Sequence, residues 1–372
     1  MATPGPVITR AAEGNAEHPR NGGAVLLERK DGSLLLFRMM AYSSELQLVA
    51  GDDAPHDIVR IESYDGGDTW QNQQMVIARK PGETATYSPT FCLLANGKLM
   101  FRYERLHHFV KDEPWRLSSY AVFSEDECET FSDPVTIIDN SPHLVGSQGD
   151  IRQLSTGRII IPACYMEGNA LQDDGEGLAP TNTSKAGTIY SDDDGQTWHV
   201  CDEFIYLPMR GSMEPKIEEL KDGRLLMVMR TQLGSVFQSF SEDGGASWSD
   251  AQTTGLQSPE SCPGLIRIPQ TGDLMLIWNN SPYDPKFDHY GIRSPLAVAI
   301  SKDDGRSWLP SRIIEHDPEW EFTNPTAIVT RGGILMILYE ASKYQSLVPP
   351  GALGRTRMHL HLARVHIDWL YE

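Results

Sequence analysis

Six stretches of the chain share one pattern of an apolar run, a short polar turn containing glycine, and a second apolar run. They read AVLLERKDGSLLLF, PTFCLLANGKLMFRY, GDIRQLSTGRIIIPA, PKIEELKDGRLLMVM, PGLIRIPQTGDLMLIW and TAIVTRGGILMILYE. Their turn glycines are Gly32, Gly97, Gly157, Gly223, Gly272 and Gly332. Pairs such as Asp-Gly and Asn-Gly supply the positive φ that tight hairpins need, so each stretch predicts a β-hairpin. Helical periodicity is nowhere sustained.

A second pattern runs in phase with the first. SYDGGDTW from Ser63, SEDECETF from Ser124, SDDDGQTW from Ser191, SEDGGASW from Ser241 and SKDDGRSW from Ser301 are spaced by 61, 67, 50 and 60 residues. One box follows each of the first five hairpins. Each unit therefore reads as strand, tight turn, strand, variable loop, strand, acidic box, strand. A period near 60 with four strands per unit predicts an all-β fold, a six-bladed β-propeller formed by residues 1–372 as a single domain. The last unit lacks a box. TRMHLHLARVHIDWL supplies its third strand and PVIT near the N-terminus its fourth, closing the ring.

The boxes themselves predict scaffolding. An aspartate can accept backbone N–H groups within a turn, a glycine supplies a left-handed position, and the final Trp or Phe can pack between blades. A calcium loop needs further oxygen ligands and a distal glutamate, which the boxes lack. Cys128 stands where the other boxes have glycine, which predicts a distorted second turn.

Composition narrows the partners. Acidic residues outnumber basic ones by 51 to 32, a formal charge of −19, which disfavours nucleic acid and an anionic membrane surface. A pocket for anions then needs its own arginines. Cys92, Cys128, Cys164, Cys201 and Cys262 have no CxxC spacing and read as reduced, mostly buried thiols. With no signal-peptide pattern in the opening residues, the expectation is a cytoplasmic protein, the alternative being a secreted one whose leader has been removed, with no cofactor and no metal.

In an up-and-down blade the glycine turns and boxes share one face, and the long loops lie on the other. Functional residues concentrate on such loops. Arg20 before the first hairpin, Arg230 in LLMVMRTQLG and Arg293 in YGIRSPLAVAIS all fall toward the loop face. Arginine forks suit carboxylates. Glu214 in SMEPKIEEL, Glu340 in LYEAS, and Asp52 and Asp53 in VAGDDAPHD add carboxyl groups of the kind used as acid and base in glycosidic cleavage.

The boxes and this constellation resemble the sialidase superfamily in its non-viral branch, over essentially the whole chain. EPKIEELKDGRLLMVMR is similar to the family segment that runs from a glutamate to the second arginine of a triad, which implies roles for Glu214 and Arg230. RSPLAVAISKDDG implies the third arginine at Arg293. Arg20 matches the first, although RNG replaces the usual R-I-P. Glu340 matches the glutamate that orients the first arginine. Asp52 matches the loop aspartate acting as acid/base, with Asp53 beside it. Tyr165 in PACYMEG resembles a position lining the sugar side-chain pocket. Arg38 and His107 join the substrate-binding candidates, His107 being alternatively a packing residue.

One element departs from the family pattern. The nucleophilic tyrosine position falls on Asn324 in EFTNPTAIV, and an amide cannot serve that way. Tyr87, Tyr165, Tyr290 and Tyr344 are reserve candidates. The resemblance implies an exo-glycosidase that removes a terminal carboxylate-bearing sugar, with Glu214 as base for a water, or as direct nucleophile, and Asp52 as acid. The alternatives are a lyase or other enzyme on uronate-containing glycans, and a non-catalytic glycan-binding propeller. Oligomeric state is not legible.

Overall fold

The computed structural model describes residues 3–43, 54–107, 116–141, 144–146, 151–167, 183–287, 289–343 and 357–372. The chain forms two compact units, Met1–Ala78 with Gln257–Glu372, and Arg79–Leu256. Three antiparallel four-stranded blades belong to the first unit. Blade 1 runs Asn21–Glu28, Leu34–Ala41, His56–Ser63 and Gln71–Ile77. Blade 5 runs Gly264–Arg267, Leu274–Asn279, Leu296–Ser301 and Arg312–Glu315. Blade 6 runs Trp320–Val329, Ile334–Lys343 and His359–His366, and takes its fourth strand, Val7–Ala12, from the other end of the chain. There Val7 lies antiparallel opposite Arg364, so the PVIT stretch supplies the fourth strand of this blade.

The second unit repeats the scheme. Blade 2 is Glu83–Leu93, Leu99–His107, Leu117–Ser124 and Val135–Ser141. In blade 3 two short strands, Leu144–Gly146 and Arg152–Gln153, both pair with Ile159–Glu167, followed by Thr183–Ser191 and His199–Val200. Blade 4 is Met213–Glu219, Leu225–Arg230, Ser235–Ser241 and Gln252–Gln257. Six such blades make the fold class a six-bladed β-propeller.

The second strand of each hairpin carries the core. Leu34–Ala41 is buried at every position, so both of its faces are covered and it reads as a continuous apolar run broken only by Arg38. Within the first unit, Leu26, Leu34 and Leu36 pack on Met336, Leu338 and Leu362 of blade 6, with Trp70 from the first box against them. In the second unit Trp198 and Phe123 join the cluster around Ile159, Ile161 and Ile189. Box aromatics thus fill the space between blades, as their sequence suggests.

Each box folds alike. In the third, Ser191 Oγ donates to Asp193 Oδ1 at 2.8 Å, and Gly195 N donates to Ser191 Oγ at 2.9 Å. Asp193 then accepts Thr197 N at 2.8 Å and Thr197 Oγ1 at 2.6 Å. The second box corrects one expectation. Cys128 takes the left-handed conformation itself, φ 68°, and donates its N–H to Ser124 Oγ at 2.9 Å, so the turn is undistorted. A thiol buried to 1% exposure accompanies that strain.

Two further details differ from the sequence reading. The left-handed glycine of the last hairpin is Gly333, φ 76°, and not Gly332. After His359–His366 the chain closes in a 3-10 turn, Ile367–Tyr371, that buries Ile367, Trp369 and Leu370. All five cysteines are free, four of them buried.

Candidate active site

The innermost strands are interrupted at matching places. Register skips occur between Gly22 and Val25, Tyr87 and Thr90, Met213 and Lys216, and Thr323 and Thr326. Each skip holds one residue at positive φ: Gly23 at 52°, Ser88 at 53°, Glu214 at 43° and Asn324 at 53°. These are β-bulges, which re-aim a side chain out of the pleat. In three of them proline follows (Pro89, Pro215, Pro325), a residue that gives up no ladder N–H at a bulge. A non-glycine residue held left-handed costs about 1–3 kcal/mol, and such strain concentrates at functional sites. The bulges put Glu214 and Asn324, both singled out by sequence, in equivalent positions of their own blades.

In the first unit Glu340 organises a buried cluster. It is 1% exposed, and its Oε1 accepts Gly23 N at 3.0 Å and Asn324 Nδ2 at 3.1 Å. Its Oε2 lies 3.5 Å from Arg20 Nη2. Close approach here requires Gly22, where a Cβ would lie 2.2 Å from Glu340 Oε1. Glu340 therefore holds Arg20, as the resemblance implies, and holds Asn324 as well. The position expected to carry a phenol carries an amide that donates to this carboxylate.

Arg293 is fixed from both ends. Its Nε and Nη2 donate to the Glu260 carbonyl at 3.1 and 2.9 Å. Its own carbonyl accepts Phe322 N at 2.8 Å, two residues before Asn324. It lies in the loop before the third strand of blade 5, which starts at Leu296. Arg38 donates to the amide oxygens of Asn21 and Gln73. Tyr339 is no substitute nucleophile, because its hydroxyl donates to Glu315 Oε2, and burial with that carboxylate raises its pKa far above the phenol range. Tyr290 stacks on Tyr283 at 5.5 Å. Asp52, Asp53 and Tyr344 lie outside the described residues.

In the second unit Arg230 Nη1 donates to Glu214 Oε2 at 2.8 Å, with side chains 12% and 29% exposed. Glu214 N donates to Cys164 Sγ at 2.9 Å, which ties the bulge to blade 3 next to Tyr165. Tyr165 packs on Phe204 at 5.7 Å, and Lys185 Nζ sits 4.4 Å from its ring centre while donating to Tyr206 at 2.6 Å. Sequence reasoning missed this lysine, whose partners come from a separate strand and loop. Tyr87 is buried in Glu83–Leu93, the first strand of blade 2. His107 is committed locally. Ser118 Oγ donates to Asp139 at 2.9 Å, so it accepts from His107 Nε2 at 2.8 Å. That chain pins the end of a hairpin.

Chemically, each unit presents a carboxylate set against an arginine at an inner-strand bulge, Glu340 with Arg20 and Glu214 with Arg230. Such pairs orient a guanidinium for a planar anion, or a carboxylate for proton transfer.

Comparison with known proteins follows the same lines. Residues 58–337 match the family model described as BNR repeat-like domain. The anhydrosialidase of Macrobdella decora is 29% identical over 216 residues, 54% of this chain and 25% of that protein. The chain thus spans about a quarter of the length of the curated relative it matches. A protein of unknown function from Dyadobacter fermentans superposes with a TM-score of 0.71 at 15% identity, over 96% of this chain and 99% of that one. The leech intramolecular trans-sialidase, complexed with 2,7-anhydro-Neu5Ac, gives 0.69 at 15% identity, over 100% of this chain and 71% of that one. At these identities the superpositions show the fold.

Proposed function

The chain belongs to the BNR repeat-like domain family, within the sialidase-like superfamily, and from that premise we propose that it is a glycosidase removing a terminal carboxylate-bearing sugar, a sialic acid or a related keto-deoxy sugar acid, from glycans. The observation that carries the reading is Glu340. A buried carboxylate positioning Arg20, with Gly22 beside it where any side chain would collide with it and Gly23 N donating to it, is an arrangement for holding a guanidinium in a fixed orientation. In a chain of net charge −19 a carboxylate ligand needs such local cations. Arg20, Arg230 and Arg293 are assigned the carboxylate.

Asn324 shapes the mechanism. Its amide supplies no nucleophile, so a water attacks the anomeric carbon, with Glu214 as general base and Arg230 keeping that carboxylate in place. Asp52 protonates the leaving oxygen. One displacement by water inverts the anomeric centre.

The experiment incubates the purified protein with sialosides, keto-deoxy sugar acid glycosides and uronate oligosaccharides, and follows products by mass spectrometry and NMR. Release of a free sugar acid of inverted configuration is the expected result. An anhydro product, as the relatives' names describe, would replace the water by an internal hydroxyl and refute the attack by water. A near-ultraviolet absorbing product would make the protein a lyase. Saturable binding without turnover would make it a binding module.

A further inference from the structure

The first unit contains a cavity of about 390 Å³ whose lining includes none of Arg20, Arg293, Asn324 or Glu340. It lies between blade 1 and the strand Val7–Ala12 of blade 6. Arg38 and Asn21 line it with Trp70, Asn72 and Gln73 from the outer part of blade 1. Glu13 is the carboxylate of the lining, and it is exposed and paired with Arg10 at 3.2 Å.

Arg38 sets this cavity apart. Six arginines among the described residues are buried. Five have carboxylate partners: Arg20 with Glu340, Arg29 and Arg60 with Glu62, Arg102 with Glu104, and Arg105 with Glu83. Arg38, 6% exposed, has only neutral amide oxygens, Asn21 Oδ1 and Gln73 Oε1, the latter at 2.8 Å. A buried cation ordinarily has a counter-charge, because desolvation of the lone ion is costly. Burial accordingly pulls its pKa down to about 10, within a range that still leaves it protonated at neutral pH. Arg38 Nε, Asn21 Nδ2 and Trp70 Nε1 are all buried without an acceptor.

We propose that this cavity is a second binding site, specific for a small hydroxylated monocarboxylate such as a sugar acid, with Arg38 supplying the counter-charge. One guanidinium balances a single negative charge, which favours a carboxylate over a phosphate dianion. Asn72 and Gln73 give the wall a polar character, their amides held by Glu62 and by Arg38 and Met40, and the Trp70 indole gives it an apolar side. The volume is within the range of small-molecule sites. The site stands whether or not the protein is a glycosidase.

Glucuronate is the probe, and the Trp70 indole N–H cross-peak in ¹⁵N-labelled protein is the local reporter, assigned with Trp70→Phe. Titration should move this peak saturably, and Arg38→Gln should abolish the movement. Because Arg38→Gln alters a buried site, Gln73→Glu provides a second test. It leaves the guanidinium in place and sets a carboxylate beside it, so it should weaken glucuronate at least tenfold while the protein stays folded. A peak that ignores glucuronate, or moves equally in both variants, overturns the proposal. So does a stronger response to inorganic phosphate than to glucuronate.

Discussion

Glu340→Gln tests the central cluster most directly. The amide keeps an oxygen for Gly23 N and Asn324 Nδ2, but it removes the charge facing Arg20 and turns a donor or a neutral oxygen toward the guanidinium. At 3.5 Å, and an effective dielectric constant of about 20, the lost attraction is roughly 5 kcal/mol. Side chains only 7% and 1% exposed cannot recover that through water, so the buried-pair range of about 3–5 kcal/mol applies. Unfolding entropy of about 2.1 cal/mol/K per residue over 372 residues converts this into a fall in Tm of about 4–6 °C. Calorimetry of wild type, Glu340→Gln, Arg20→Met and the double variant measures it, and the double-mutant cycle isolates the pair. Gly22→Ala should reproduce the loss without touching either charge, since its Cβ would lie 2.2 Å from Glu340 Oε1. A Glu340→Gln protein melting within a degree of wild type, or a coupling energy near zero, would refute the cluster as described.

Asn324→Ala and Asn324→Gly both lose the amide bond to Glu340, but only glycine accepts φ 53° freely, so denaturant titration should find Ala less stable than Gly by about 1 kcal/mol. Glu214→Gln should lower kcat roughly 100- to 10,000-fold, the scale of a general base, while leaving Tm nearly unchanged at this part-exposed position. The boxes predict an acid limb. The Thr130 and Thr197 hydroxyls, and then their backbone N–H groups, hold Asp126 and Asp193 down at about 2 against 3.8 for the unperturbed group. The unfolded chain therefore binds more protons in this window, so their contribution is complete above about pH 4 and is lost as pH falls through 2. Asp193→Asn should flatten part of the Tm decline measured from pH 5 to 2.

Much of the fold was legible because a hairpin with its glycine is a local object. The phase of boxes against hairpins gave five blades, and the fourth strand of the sixth followed from one missing strand. The errors lie where neighbouring residues compete for one backbone role. Gly332 and Gly333 are indistinguishable in the letters, and the fold chooses Gly333 because its N–H closes onto Thr330 O at 2.9 Å. Cys128 looked like a defect only because its left-handed strain is visible in sequence while its burial and its bond to Ser124 are not.

The candidate site was legible to a different depth. Arg20, Arg230, Arg293, Glu214 and Glu340 could be named from resemblance, but their pairings are side-chain facts that spacing does not carry. Arg38 shows the difference: it is named among the substrate-binding candidates, and nothing in the letters announces its bonds to Asn21 and Gln73. One sequence signal was available and unused. Ser88-Pro89, Glu214-Pro215 and Asn324-Pro325 all place proline after the positive-φ residue of an inner-strand bulge. Proline inside an inner strand is incompatible with an unbroken ladder, so these pairs mark where the strand must break and turn a side chain out of the pleat. Read that way, Asn324 is the bulge position of its blade as Glu214 is of its own. The role proposed for Asn324 then has a backbone argument beside the resemblance, with an amide at the bulge where the resemblance places a phenol.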